Sequence, residues 1–173
     1  MISMVKAQMD IRETWIKYTW FVVVVAAVVL LDQLTKAMIL RMMPMFESIV
    51  VIPGFFNLTH VHNPGGAFGL LAQNGAAWRH WLFLGAAFFA LGIILYFYHH
   101  TPRSQPWLAS ALAMIFGGAI GNMIDRIRFG EVVDFLDVYI ARYHWPTFNV
   151  ADSAVSIGIG ILILHILLKK TPF

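Results

Sequence analysis

Two aspartates stand beside apolar segments, where a charged side chain is expensive to keep. Asp152 lies one turn into an apolar C-terminal segment, and Asp134 comes just after the apolar segment before it. A carboxylate inside a membrane costs about 2.5–3.5 kcal/mol on insertion scales, so its retention indicates a function. Two carboxylates that meet can share one proton, which is the starting condition for aspartic-protease chemistry. Spacing alone does not establish that Asp134 reaches Asp152.

The last apolar segment carries its polar side chains on one face. Asn149, Asp152, Ser153 and Ser156 follow the spacing i, i+3, i+4 and i+7, which places them along one side of a helix. Lipid cannot satisfy such a stripe, so it must face the interior of a bundle or a wet cavity. The alternative function of the stripe is purely structural, as hydrogen bonds between helices.

Two other segments carry polar groups that would support a site. Gly117 and Gly121 form a G-x-x-x-G face that permits close helix approach, and Asn122 and Arg126 follow one turn apart, with Asp125 beside them. This segment also fits a packing motif that ends in ordinary charged residues. Near the N-terminus, Asp32 and Lys36 have the i, i+4 order that favours an ion pair. For this pair we expect a supporting function rather than catalysis.

Several other catalytic arrangements are disfavoured. The chain has no cysteine, so thiolate nucleophiles, disulfides and cysteine metal sites are excluded. His60 and His62 have H-x-H spacing, but no recognisable motif supplies a third ligand, so we expect histidines without a metal. Ser153 is in neither a G-x-S-x-G nor an S-x-x-K pattern, which disfavours a serine nucleophile. We therefore expect neither a metal nor another cofactor.

Composition and length indicate a small membrane protein. Hydrophobic residues make up 60% of the 173 residues and charged residues 12%, against about 45–50% and 25% in soluble domains. Four apolar segments, at about 18–40, 81–98, 107–124 and 148–168, approach or exceed the roughly 20 residues that a spanning helix needs. The net charge of +3 is scattered rather than gathered on a basic face, so nucleic-acid binding is not expected.

Four spans would place both termini on the same side of the membrane. The first segment has no small-residue cleavage site before Asp32, so we expect a retained helix rather than a signal peptide. Lysine and arginine on the side of the termini are Lys6, Arg12, Lys17, Arg103, Lys169 and Lys170; those on the other side are Arg41, Arg79, Arg126, Arg128 and Arg142. The first set lies in short flanks, which weigh most in topology, so both termini are predicted to be cytoplasmic.

The two longer connections then lie on the outer side. Residues 41–80 include the β-like run 49–52 and the glycine-rich run 63–69, which predicts a short sheet or hairpin on the membrane surface. Residues 125–147 mix charges with Tyr143 and Trp145, a composition typical of an interfacial segment. We expect a single integral-membrane domain over residues 1–173.

Taken together, these segments resemble lipoprotein signal peptidase, also called signal peptidase II, in the order that the family has them. The resemblance is carried by Asp32-Gln33-Leu34-Thr35-Lys36, the surface-loop run 63–69, Gly117 to Arg126, Val132-Val133-Asp134-Phe135, and Phe148-Asn149-Val150-Ala151-Asp152-Ser153. One departure is Gly66, which stands where family members usually have alanine.

The resemblance implies an all-α membrane protein with a small β element: four transmembrane helices, a periplasmic surface β-cradle and a short interfacial helix. It implies an inner-membrane aspartic endopeptidase, blocked by globomycin, with its site near the periplasmic face. The substrates would be diacylglyceryl-modified prolipoproteins, cleaved before the lipidated cysteine, and the surface loop would close over them. The enzyme would work among membrane lipids, as a monomer. The implied catalytic residues are Asp134 and Asp152; the implied substrate-binding or supporting residues are Asn63, Gly65, Asn122, Arg126, Asn149, Asp32 and Lys36.

The carboxylate pair predicts the mechanism, although not which member holds the proton. One aspartate would act as general base on a water, and its protonated partner would polarise the scissile carbonyl. Asp125 and Asp137 are the carboxylates that we expect to matter less; Asp137 shares a face with Asp134 if that stretch is helical. The main alternative is a small proton-coupled transporter, since buried carboxylates also relay protons, and a non-catalytic assembly protein comes third.

Overall fold

The structure, a computed structural model, describes residues 2–65 and 77–168. Four helices are α1 (Ile2–Met42), α2 (Ala77–His100), α3 (Pro106–Phe129) and α4 (Val150–Leu168), and four strands are β1 (Ser48–Ile52), β2 (Phe56–Asn63), β3 (Val132–Ile140) and β4 (Tyr143–His144). The strands join α1 to α2 and α3 to α4. The sheet therefore lies at one end of the helices.

Each predicted apolar segment forms a helix that is long and apolar enough to cross a membrane. These candidate spans are Arg12–Met42, His80–His100, Pro106–Phe129 and Val150–Leu168. All four overlap the predicted segments, although α3 continues to Phe129 rather than ending near residue 124. Helix α3 packs against α1, α2 and α4, so it is the central helix of the bundle.

All six tryptophans are exposed and lie towards the two ends of the helices. Trp15, Trp20 and Trp107 are near the end that carries the N-terminus, whereas Trp78, Trp81 and Trp145 are near the sheet. Tryptophan is enriched at both membrane–water boundaries because its ring is apolar and its N–H is polar. Two belts of tryptophan are what a bundle crossing a bilayer presents.

Small residues on α3 let two neighbouring helices approach closely. A Cβ atom added to Gly117 would lie 2.9 Å from the Cβ of Val28 on α1, and one added to Gly118 would lie 2.4 Å from the backbone oxygen of Ala151 on α4. Real Cβ atoms do not come so close to backbone oxygens, so Gly118 fixes the separation of α3 and α4. The predicted G-x-x-x-G face is thus a packing surface for α1. Gly118, next to Gly117 in sequence, allows the close packing of α4.

The strands form one antiparallel sheet in the order β1-β2-β3-β4. In the pairing of β2 with β3, Val61 lies opposite Asp134 and Asn63 opposite Val132. The short sheet predicted within residues 41–80 is confirmed as the pair of β1 and β2. Strand β2 also pairs with β3 from the second connection, which the sequence did not indicate. The surface β element is therefore built from both loops.

The second connection forms a strand where an interfacial segment was predicted. Residues 132–140 are rich in β-branched and aromatic residues, which favour extended backbone. Helix α3 ends at Gly130, whose φ of +79° is the left-handed conformation of a helix C-cap, and the chain turns there into β3. The predicted short interfacial helix is not found in residues 2–65 and 77–168.

Strand β3 is held against the ends of two helices. Val133 and Phe135 are buried against Ile39 of α1 and Met43, which follows that helix, and Val150 of α4 packs against the same cluster. Beyond the hairpin to β4, the backbone returns alongside β3, where Leu136 and Phe148 exchange hydrogen bonds of 2.8 and 3.1 Å. This return brings the first turn of α4 beside Asp134.

We expect Gly118→Ala to destabilise the fold, because the new methyl group must displace the backbone of α4. Overpacking of this kind costs about 1–3 kcal/mol. The matched control is Gly92→Ala, since a Cβ there meets nothing within 4 Å and alanine is the better helix former. Thermal unfolding in detergent should give a lower midpoint for Gly118→Ala than for Gly92→Ala; equal midpoints would contradict the close packing of α3 on α4.

Candidate active site

The first turn of α4 is fixed by a reciprocal capping pair. The Oδ1 atom of Asn149 accepts the backbone N–H of Asp152 at 2.9 Å, and Oδ2 of Asp152 accepts the backbone N–H of Asn149 at 3.2 Å. This is the geometry of a capping box, with Asn149 as the N-cap and Asp152 at the third helical position. The stripe predicted on α4 includes these two residues, and the cap sets the position of the Asp152 carboxylate.

The amide of Asn149 connects α4 to the strand that carries Asp134. Because its oxygen is occupied by Asp152, its Nδ2 points the other way and donates to Oδ1 of Asp134 at 2.7 Å. The same nitrogen is 3.2 Å from the backbone oxygen of Val133 and 3.1 Å from Oδ1 of Asn122. Asp134 and Asp152 therefore approach each other through one buried asparagine.

Asn122 holds the other side of Asp152. Its Oδ1 accepts a hydrogen bond from Nζ of Lys36 at 2.9 Å, and its Nδ2 donates to Oδ1 of Asp152 at 2.7 Å. An ammonium group has only donors, so Lys36 fixes which end of the Asn122 amide faces the carboxylate. The predicted helix-face residue Asn122 thus contacts the candidate catalytic residue directly.

Lys36 is buried among three oxygen acceptors. Besides Asn122, its ammonium group lies 2.9 Å from Oδ2 of Asp32 and 2.8 Å from Oδ2 of Asp125. The exposed fraction of these three charged side chains is 2% for Lys36, 0% for Asp32 and 1% for Asp125. The predicted pair of Asp32 and Lys36 is present, and Asp125 is the third member of its network.

Backbone groups of two further elements bind this ion network. Asp32 accepts the N–H of Ala151 in the first turn of α4 at 2.9 Å, and Asp125 accepts the N–H of Val133 at 3.1 Å. The network therefore ties α1 and α3 to the two segments that carry Asp152 and Asp134. The observed contacts of Asp125 are with Lys36 and the backbone of Val133, and they are structural.

Gln33 and Gly121 complete the network, and spacing gave no reason to single out Gln33. Its Nε2 lies 3.2 Å from Oδ2 of Asp32 and 3.0 Å from Oδ1 of Asp125. A Cβ added to Gly121 would lie 2.6 Å from Oδ2 of Asp32. The absence of a side chain at Gly121 therefore leaves room for the Asp32 carboxylate as well as for close helix packing.

Asp134 is buried and paired with two amides. Its exposed fraction is 2%, its Oδ2 accepts Nδ2 of Asn63 at 3.0 Å, and its Oδ1 accepts Asn149. The pKa of Asp134 is raised to about 6, chiefly by burial and also by the charge of Asp152, against the lowering effect of the hydrogen bonds from Asn63 and Asn149 and the charge of Lys36. The two candidate carboxylates share Asn149, whose side-chain amide binds Asp134 and whose backbone N–H binds Asp152.

Asn63 is oriented by the glycine that follows it in the surface-loop motif. The backbone N–H of Gly65 donates to Oδ1 of Asn63 at 2.9 Å, which leaves the Asn63 amide nitrogen for Asp134. Gly65 has a φ of +86°, and a Cβ there would lie 2.5 Å from the ring of Phe83. The rest of the motif, including Gly66 and the predicted closing loop, lies outside the described residues.

Arg126 lies at the edge of this cluster. Its guanidinium stands 5.5 Å over the ring of Phe83 and its Nη1 is 3.4 Å from the backbone oxygen of Asn122. It interacts electrostatically with Asp152, Asp134 and Asp125. The structure thus gathers every predicted site residue: Asp134, Asp152, Asn63, Gly65, Asn122, Arg126, Asn149, Asp32 and Lys36.

Asp137 belongs to a different set of contacts. It accepts Nδ2 of Asn57 at 2.9 Å and lies 2.7 Å from Nδ1 of His144. Because residues 132–140 form a strand, side chains three positions apart point to opposite faces, and Asp137 does not share the face of Asp134.

Within the described ranges, no group of three or more histidine, aspartate or glutamate side chains is placed to hold a metal ion.

The comparisons with known proteins agree on one family. Residues 24–168 match the family model described as signal peptidase (SPase) II. The chain belongs to the signal peptidase II family. It is 50% identical over 145 residues to a lipoprotein signal peptidase from Desulforapulum autotrophicum, a match covering 84% of this chain and 90% of that one. A second, from Syntrophus aciditrophicus, is 45% identical over 150 residues, covering 87% and 93%.

The fold matches that of a solved bacterial membrane enzyme. The structure determined at 1.9 Å resolution superimposes with a TM-score of 0.78 at 36% identity, over 88% of this chain and 95% of that one. A related structure at 2.3 Å gives 0.77 at 33% identity, over 90% and 94%. The predicted fold class is confirmed. Membership of the signal peptidase II family, together with the four candidate spans, indicates a protease and a multi-pass inner-membrane protein.

We expect Lys36→Met to be strongly destabilising, because it leaves Asp32 and Asp125 buried without their cation. Removing one partner of a buried ion pair costs about 3–5 kcal/mol. Unfolding in detergent should show this loss, and adding Asp125→Asn should recover part of it. Arg142→Met is the control, since Arg142 is exposed in the turn between β3 and β4. A Lys36→Met protein as stable as this control would refute the structural function of the network.

Proposed function

We propose that the protein is an aspartic endopeptidase that removes the signal peptide from diacylglyceryl-modified prolipoproteins, cutting before the lipidated cysteine. The observation that carries the proposal is the arrangement of Asp134 and Asp152 at the sheet end of a membrane bundle, where the side-chain amide of Asn149 binds Asp134 and its backbone N–H binds Asp152. The names of the relatives, lipoprotein signal peptidases, support the substrate class.

The two carboxylates have different surroundings, which suggests a division of labour. Asp152 accepts an amide N–H and a backbone N–H in the first turn of α4, where the helix dipole favours an anion. Asp134 lies on a strand, and burial raises its pKa. We assign the proton of the resting pair to Asp134 and the function of general base to Asp152.

The reaction follows from this assignment. Asp152 removes a proton from a water molecule, whose oxygen attacks the scissile carbonyl while protonated Asp134 donates a hydrogen bond to the carbonyl oxygen. Collapse of the tetrahedral intermediate breaks the C–N bond, and the proton held by Asp152 passes to the leaving amine. The products are the carboxyl end of the signal peptide and the free amino group of the lipidated cysteine.

The neighbouring residues would position the substrate. Asn63 lies beside Asp134, and Arg126 lies at the edge of the cluster. Both are therefore placed to bind the peptide near the scissile bond. Gly65 sets the orientation of Asn63, and Asn122 and Asn149 hold the carboxylates. Lys36, paired with Asp32, acts indirectly: it orients Asn122, which in turn binds Asp152.

The orientation in the membrane follows from the charge distribution. Lys17 and Arg103 lie at the end of the bundle opposite the sheet, close to the short flanks that determine topology. We place that end, with both termini, in the cytoplasm and the sheet at the periplasmic face. A diacylglyceryl group could then stay in the outer leaflet while its peptide reaches the carboxylates. The 173 residues would work as one peptidase domain and as a monomer.

We expect Asp134→Asn and Asp152→Asn each to lower cleavage by about a hundredfold or more, since acid–base catalysis contributes about 10²–10⁴. The assay incubates purified protein with a diacylglyceryl-modified prolipoprotein and follows the released signal peptide by mass. Asp137→Asn is the matched control, because Asp137 contacts Asn57 and His144 instead. Full activity in either site variant would exclude the pair as the catalytic residues.

The pH dependence of kcat/KM tests which carboxylate is protonated. If Asp134 acts as the acid, activity falls as pH rises through the raised pKa of Asp134. The Asn63 amide stabilises ionised Asp134 and so lowers its pKa; Asn63→Ala should raise that pKa and move the alkaline limb to higher pH. Asn57→Ala, which removes a partner of Asp137, should leave the limb in place. If instead the acidic limb moves to higher pH in Asn63→Ala while the alkaline limb stays in place, Asp134 is the base and our assignment is reversed.

A further inference from the structure

Two histidines outside the proposed catalytic cluster face each other on β2. His60 and His62 are two residues apart on the strand, and their Nε2 atoms lie 3.2 Å from each other. His60 is buried, whereas 18% of the His62 side chain is exposed. The predicted mechanism uses neither ring.

The other nitrogen of each ring already faces an oxygen. Nδ1 of His60 lies 2.9 Å from the backbone oxygen of Met43, and Nδ1 of His62 lies 3.5 Å from Oε2 of Glu131. A carbonyl oxygen only accepts, so His60 must carry its hydrogen on Nδ1. The carboxylate of Glu131 favours the same tautomer of His62. In their neutral forms, both rings then present an Nε2 lone pair to each other.

Two lone pairs at 3.2 Å repel, and a cation between them removes the conflict. Two imidazole nitrogens bound to tetrahedral Zn²⁺ at about 2.0–2.1 Å stand about 3.3 Å apart, close to the observed separation. Histidines that bind metal ions commonly donate their other N–H to a backbone carbonyl or a carboxylate. Met43 and Glu131 supply one of each.

We propose that His60 and His62 bind a divalent transition-metal ion of the Zn²⁺ class through their Nε2 atoms. Water would fill the remaining positions, since the described residues supply no third histidine, aspartate or glutamate ligand. The exposed edge of His62 gives the ion access, and the carboxylate of the partly exposed Glu131 balances one of its charges. The site does not depend on the proposed proteolytic function.

The sequence favoured histidines without a metal, because H-x-H spacing reveals neither tautomer nor ring orientation. The fold adds this information: residues two apart on a strand share a face, and the two Nδ1 contacts turn both Nε2 atoms towards one point.

Calorimetric titration of Zn²⁺ into the tag-free full-length protein in detergent tests the proposal. We expect about one equivalent to bind, the binding to be lost in His62→Gln, and affinity to fall about tenfold or more in Glu131→Gln. His62→Gln keeps the buried bond of His60. The control is His100→Gln, because His100 is exposed and bonds the backbone of its own helix; it should bind as the unmutated protein does.

Zn²⁺ binding that is absent from the unmutated protein, or unchanged in His62→Gln, would overturn the proposal and leave a shared proton between the rings. If His62→Gln does not fold, Cu²⁺ bound to the unmutated protein gives an independent answer. Its electron paramagnetic resonance spectrum should show coupling to two imidazole nitrogens. Coupling to a single nitrogen would also overturn the proposal.

Discussion

The ammonium group of Lys36 and the carboxylates of Asp32 and Asp125 form the buried interaction on which the geometry of the site depends. One cation does not neutralise two carboxylates, so the excess negative charge must be met by dipoles. Backbone N–H groups of Ala151 and Val133 and the amide of Gln33 provide them. An ion network of this kind is stable only when each lone pair has a donor, and meeting that requirement binds four separate elements together.

Three asparagines bind the proposed catalytic pair, and each is oriented in the same way. A donor occupies the amide oxygen, so the NH₂ group has to face a carboxylate: Gly65 orients Asn63, Lys36 orients Asn122, and Asp152 orients Asn149. A carboxylate in the same place would add charge, and a hydroxyl would have one donor and no fixed orientation. The amides thus supply donors to Asp134 and Asp152 that do not have to reorganise during a reaction.

Local patterns predicted much of this fold, while the contacts between distant segments could not be read from them. The four spans follow from apolar length, and the pair of Asp32 and Lys36 follows from one turn of helix. The partnership of Lys36 with Asp125 depends on how α1 and α3 are rotated against each other, which spacing does not encode. Likewise, β3 was not recognised as a strand because its partner β2 is about 70 residues away in sequence. The family resemblance, rather than the spacing, brought Asp134 and Asp152 together.

Two chemically identical side chains become different because they stand on different secondary structures. Asp152 is part of a helix N-terminus, where backbone N–H groups and the helix dipole favour negative charge. Asp134 is on a strand that packs against the ends of α1 and α4, where burial opposes negative charge and raises its pKa. Environments that separate a pair of carboxylates in this way define an acid and a base. Gly118 and Gly121 on α3 make the arrangement possible, because any side chain there would push α4, or Asp32, out of the position that the pair requires.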